Sequence, residues 1–172
     1  MSGSGERRRG EAFVGHGYGT RRHLLFEAAR GHIERSIESR FFCEAIAVSE
    51  SVIADRLESR LSWLTKQNVG FKTLGWLIKK LQKCETDSEL THLLGELDAW
   101  RVRRNGALHE MVKVADDGPV PDWQTRDSDW QVRMAELAVS ARAGYELLKR
   151  LYHQVADLNP LHGDRVFPRP AD

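Results

Sequence analysis

Long hydrophobic runs are missing from this chain. No apolar stretch approaches the roughly 18 residues that a membrane-spanning helix needs. Positive charge stands near the N-terminus at Arg7, Arg8 and Arg9, but no apolar segment follows it, so a signal peptide is not expected. Cysteine is scarce. Cys43 and Cys84 are the only two, too few for a disulfide framework and without partners at metal-ligand spacing. Two reduced thiols in a cytoplasmic protein are the expectation. An excess of one charge is also missing: Lys and Arg number 26 against 25 Asp and Glu, a formal net charge of +1. Any contact with nucleic acid must therefore come from a local patch. Familiar catalytic signatures are absent too, with no Gly-rich phosphate loop, no His-Glu-x-x-His and no Gly-x-Ser-x-Gly. A di-iron bundle, which needs two Glu-x-x-His pairs, is not expected, and His92, His109 and His153 lack zinc spacing. No metal or other cofactor is expected.

What is present is helical. The 172 residues suit one domain with a sizeable core, and 41% hydrophobic against 30% charged residues is a globular balance. Apolar residues recur at helical spacing, with no strand pattern and no repeat, so the expected fold is an all-α bundle of about five helices. Residues 1–19 read as a flexible basic arm, 20–157 as the helical domain and 158–172 as an irregular C-terminal tail with three prolines. Helices are predicted over 20–39, 40–66, 71–83, 88–114 and 128–157. Thr20, Asp87 and either Asp127 or Ser128 are the candidate N-caps. In the first helix Leu24, Leu25, Ala28, Ile33 and Ile37 share a face, and Gly31 is a place for a bend. The second carries Phe41, Phe42, Ala45, Ile46, Val52, Ile53, Leu57, Trp63 and Leu64 on one arc. In the last, Trp130, Met134, Leu137, Ala141, Tyr145, Leu148, Tyr152 and Val155 form a stripe fit for a core or a homodimer seam.

Three arginines violate this pattern. Arg56 and Arg60 project into the apolar arc of the second helix, where they either snorkel or pair with carboxylates on a neighbour. Arg104 falls in the middle of the apolar face made by Leu90, Leu93, Leu94, Leu97, Trp100, Leu108, Met111 and Val112. A guanidinium there is costly unless something pairs with it or a second chain covers it. Asn105 and His109, four residues apart, stack on one edge of that face. Arg104-Asn105-x3-His109 is the one constellation in the chain suited to chemistry.

Arg-x4-His with a polar residue after the arginine, on a late helix of an all-α domain, resembles the HEPN superfamily of helical nucleotide-binding domains. The resemblance covers about residues 20–157. It implies a metal-independent endoribonuclease that acts as a toxin or antiviral defence effector. His109 would be general base or acid, Arg104 the phosphate clamp, and Asn105 the group that orients either. It also implies a homodimer with a composite cleft and an antitoxin or defence-system partner protein, with no membrane association. Glu44, Asp55 and Arg56 are expected to support the site from behind. Arg101, Arg103, Lys79 and Lys80 are expected to contact RNA. Met111 stands where the tyrosine-regulated toxins of that family carry Tyr, so regulation by nucleotide transfer is not expected. The alternatives are a HEPN-like non-catalytic module that binds nucleotides or protein, and an unrelated helical interaction protein.

Overall fold

The computed structural model describes residues 18–110 and 123–159. Among them are five helices and no strand: α1 (Tyr18–Glu38), α2 (Phe42–Thr65), α3 (Leu74–Cys84), α4 (Ser88–Glu110) and α5 (Trp123–Leu158). No helix among the described residues is long and apolar enough to cross a membrane.

The helix boundaries follow local chemistry. α2 ends at Lys66, which takes a left-handed φ of 59°, and Gly70 does the same at 66° in the turn that follows. That turn falls in the gap between the predicted helices 40–66 and 71–83. Thr73 caps α3 by accepting from the Trp76 backbone N–H. Asp87 caps α4 as predicted, its carboxylate accepting from the Leu90 N–H at 2.7 Å. Other expectations are corrected. α1 begins at Tyr18, before Thr20, and continues unbroken through Gly31. α5 begins at Trp123, so neither Asp127 nor Ser128 caps it. Phe41 precedes α2 and is exposed.

α2 lies against α1, α3 and α5, while α4 lies against α3 and α5. Cross-links fix the directions. Arg56 lies over Tyr152 and Arg60 reaches the carbonyl of Leu158, so α2 and α5 run the same way. Trp100 bonds to Ser140, and Gln154 to Asp87, so α4 runs against α5. The core is assembled from the inward stripes: Ile46, Ile53 and Leu57 of α2, Leu77, Ile78 and Leu81 of α3, Leu90 through Trp100 of α4, and Leu137, Leu148 and Leu151 of α5. On α1 the inward face is the expected one only in part. Ile33 is buried and Ile37 packs against the core, but Phe26 joins them by stacking on Tyr152 with ring centroids 3.5 Å apart, and Leu24 and Leu25 are exposed.

Arg60 is explained at one end of this bundle. Its guanidinium donates to both carboxylate oxygens of Glu85, at 2.7 and 2.9 Å, and to Leu158 and Asn159 at 3.0 Å. It thereby ties α2 to the α3–α4 turn and to the end of α5. The Glu85 carboxylate is fully buried. Burial alone would raise its pKa, but the hydrogen bonds from Arg60 and from the Asp87 and Thr86 backbone outweigh it and hold the group below the usual carboxylate range.

Candidate functional site

The opposite end of the bundle carries Arg104. Gly75, at the start of α3, lies against the Arg101 side chain, and a Cβ there would stand 3.4 Å from that guanidinium. α3 therefore gives out about one turn before Arg104. Beyond that point the diagonal between α4 and α2 is spanned by an ion pair: Arg104 Nη2 donates to the carboxylate of Glu50. The Arg104 carbon lies 5.4 Å from the centre of the Trp100 ring. Trp100 in turn is pinned. It is buried, its indole N–H donates to the Ser140 carbonyl at 2.9 Å, and its ring presses on Gly144. So Arg104 rests on an aromatic plate that α5 holds in place, with Glu50 fixing its outer end. Only 10% of its side chain is exposed, against 32% for Glu50, and the Arg104 Nε is buried without a partner.

Asn105 is half-buried and His109 is exposed. Arg101, Asn105 and His109 are spaced four apart, so they form one row along the edge of α4 that continues past the end of α3. The row is roughly 12 Å long. Its polar end has the elements of acid–base chemistry on a phosphodiester: an imidazole open to substrate and an amide beside it, with a guanidinium beneath the helix edge.

The other expected site residues lie elsewhere. Glu44 pairs with His32 at 2.8 Å, toward α1. Asp55 bonds Arg56 at 2.9 Å, and Arg56 covers Tyr152. None of these three is brought to Arg104. Arg101 pairs with Asp98 at 2.8 Å and keeps its place in the row. Arg103 is exposed on another side of α4, two residues and about 200° away from Arg101. Lys79 and Lys80 are exposed on α3. Met111 and Val112 lie outside the described residues, as do the arm through residue 17 and the tail from residue 160. The residue that the sequence reading missed is Glu50. On a helical projection it lies on the flank of α2 that turns toward α3 and α4, and a buried arginine elsewhere was the signal that such a carboxylate had to exist.

Among the described residues no group of three His, Cys, Asp or Glu is arranged to hold a metal ion. No family model matches the chain, and neither a curated protein nor a solved structure matches it.

Proposed function

We propose that this chain is a metal-independent endoribonuclease of the HEPN type, with Asn105 and His109 as the reacting edge and Arg104 as the charge beneath it. The observation that carries this reading is the placement of an exposed His109 one turn beyond Asn105, on the helix that also holds a buried arginine. In the reaction a 2′-hydroxyl attacks its adjacent phosphodiester. The P–O2′ bond forms, the P–O5′ bond breaks, and the products are a 2′,3′-cyclic phosphate and a 5′-hydroxyl. One histidine removes the proton from the 2′-hydroxyl, and a protonated one returns a proton to the departing 5′-oxygen. Two copies of this chain, each lending a His109, supply both roles in a composite cleft. Arg104 neutralises the charge that develops on the phosphorane oxygens. To bond them it exchanges the Glu50 carboxylate for a phosphate oxygen. A toxin or defence effector restrained by a partner protein is the setting that fits such an activity.

The Glu50 pair also favours a second reading, a HEPN-like module that binds nucleotides or protein without turnover, because it occupies the guanidinium. His109→Ala separates the two. The side chain is exposed, so its removal leaves the fold intact. In EDTA, with structured and single-stranded RNA as substrates, the variant is expected to lose roughly 10²–10⁴ in rate. Equal rates for wild type and variant, or no cleavage by either, would overturn the nuclease reading.

A further inference from the structure

α3 turns one face to the core and the other to solvent. Leu74, Leu77, Ile78 and Leu81 are buried, while Trp76, Lys79, Lys80 and Lys83 are exposed. Trp76 lies on the outward face with 37% of its surface exposed, apolar area that the core does not cover. The Lys72 and Lys80 ammonium groups lie 5.5 and 5.7 Å from the centre of its ring. In the preceding turn Lys66 stands 4.0 Å over the ring of Trp63, and Phe71 is exposed. The local charge is one-sided. Residues 59–84 contain five lysines and one arginine, and no aspartate or glutamate. The arginine is Arg60, neutralised in the core by Glu85. The lysines are all on the surface. A chain with a net charge of +1 thus conceals a strongly basic, aromatic-bearing face.

This face runs into the row described above. Gly75 abuts Arg101, and Arg101 leads along α4 to Asn105 and His109. We infer that the outer face of α3 is a binding track for single-stranded RNA, with a base stacked on Trp76 and flanking phosphates held by Lys72, Lys79 and Lys80. That the track delivers the strand to His109 rests on the nuclease reading; the track itself does not. Single-stranded nucleic acid is the partner that uses both features, since unstacked bases pack on aromatic rings while lysines follow the backbone. A duplex keeps its bases stacked inside and has no use for Trp76. A membrane surface needs an outward apolar stripe, and the leucines and isoleucine of α3 are committed to the core. Contact of an exposed lysine with an aromatic ring is weaker than base stacking, so an arriving base displaces the lysine to a phosphate.

The test is fluorescence anisotropy with the full chain carrying His109→Ala, so that RNA is not consumed. The probes are a labelled single-stranded RNA of about twelve nucleotides, within the range such surfaces cover, its duplex, and phosphatidylserine vesicles. Trp76→Ala is expected to weaken single-strand binding about tenfold or more, and Trp76→Phe to restore most of it. Lys79→Gln with Lys80→Gln should weaken binding and flatten its salt dependence. Because Thr73 caps the backbone N–H of residue 76, Trp76→Ala keeps the cap, and an unchanged melting temperature verifies it. The inference is overturned if Trp76→Ala binds like its parent, if duplex binds as tightly as single strand, or if vesicles bind and RNA does not. Binding that needs Trp76 in a chain that never cleaves would leave the track standing and remove the nuclease. Cleavage with an unchanged KM in Trp76→Ala would do the reverse.

Discussion

Gly144→Ala is a one-carbon change whose sign depends on the support of Arg104. A Cβ at residue 144 would stand 2.5 Å from Trp100 Cζ2, 2.8 Å from Cε2 and 3.0 Å from Nε1. Carbon atoms in contact prefer about 3.5–4.0 Å, so either the indole or α5 must move by about 1 Å. The indole cannot retreat freely, because it is buried and its N–H is bonded to Ser140. Overpacking of this kind costs about 1–3 kcal/mol, and rigidity on both sides puts it at the upper end. Alanine returns about 1 kcal/mol through helix propensity. A net loss of roughly 2 kcal/mol is expected, or about 4–8 °C in Tm for a chain of this size. Gly95 is the control. Nothing lies within 4 Å of a Cβ there, so Gly95→Ala should stabilise by about the propensity term. In a Trp100→Leu background, which removes the indole atoms that meet residue 144, Gly144→Ala should cost little or nothing. Urea unfolding of the four proteins of this cycle reads the coupling directly. If Gly144→Ala stabilises the wild-type chain as Gly95→Ala does, the packing of Trp100 on α5 is wrong, and so is the account of how Arg104 is held.

Two further predictions concern titration. Glu85 has a folded pKa below its unfolded one, so the stability it supplies is complete above the unfolded value of about 4.3 and is lost as pH falls through the folded one. Glu85→Gln should flatten the acid side of the stability–pH curve, measured by urea midpoints, and should cost about 3–5 kcal/mol near neutrality by stranding buried Arg60. Tyr145 is shifted the other way, chiefly by burial and then by its hydrogen bond to Glu34, and its phenol is held well above the usual range. Its contribution is complete below the unfolded value of about 10 and falls away at higher pH, so Tyr145→Phe should cost about 1–2 kcal/mol at neutral pH and less in alkali.

Much of the fold was legible because its signals are local. Leu90, Leu93, Leu94, Leu97 and Trp100 repeat at helical spacing, and all are buried in α4. Asp87 caps because its oxygen reaches the Leu90 N–H, a relation set within three residues. What was not legible depends on partners distant in the chain. Nothing near Phe26 announces Tyr152, 126 positions away, yet their stacking brings Phe26 into the core beside the expected Ile33. Arg60 and Arg104 look alike in the periodicity, but one meets Glu85 and the other Glu50, at opposite ends of the bundle. The candidate site was legible in its motif, since Asn105 and His109 follow from spacing on one helix. Its support was not, because Glu50, Ser140 and Gly144 come from two other helices.

The remaining question is why Arg104 is an arginine at all. An ion pair on the diagonal of a bundle is a poor way to stabilise it, because the desolvation of both charges offsets most of their attraction. Here the offset is larger than usual, since Arg104 Nε is buried with no acceptor. Methionine fills a similar volume, suits a helix and would lie against Trp100 without cost. Removing one partner should hurt: Arg104→Met alone strands Glu50, which is partly solvated, and is expected to cost about 1–3 kcal/mol. Replacing both, Arg104→Met with Glu50→Met, should bring stability back to within about 1 kcal/mol of wild type or above it. If the guanidinium serves phosphate, the double variant should fold well and cleave no RNA, separating the two requirements that one residue meets. A double variant that is as unstable as the sum of its single changes, and still cleaves, would mean that the arginine belongs to the fold and that the chemistry lies elsewhere.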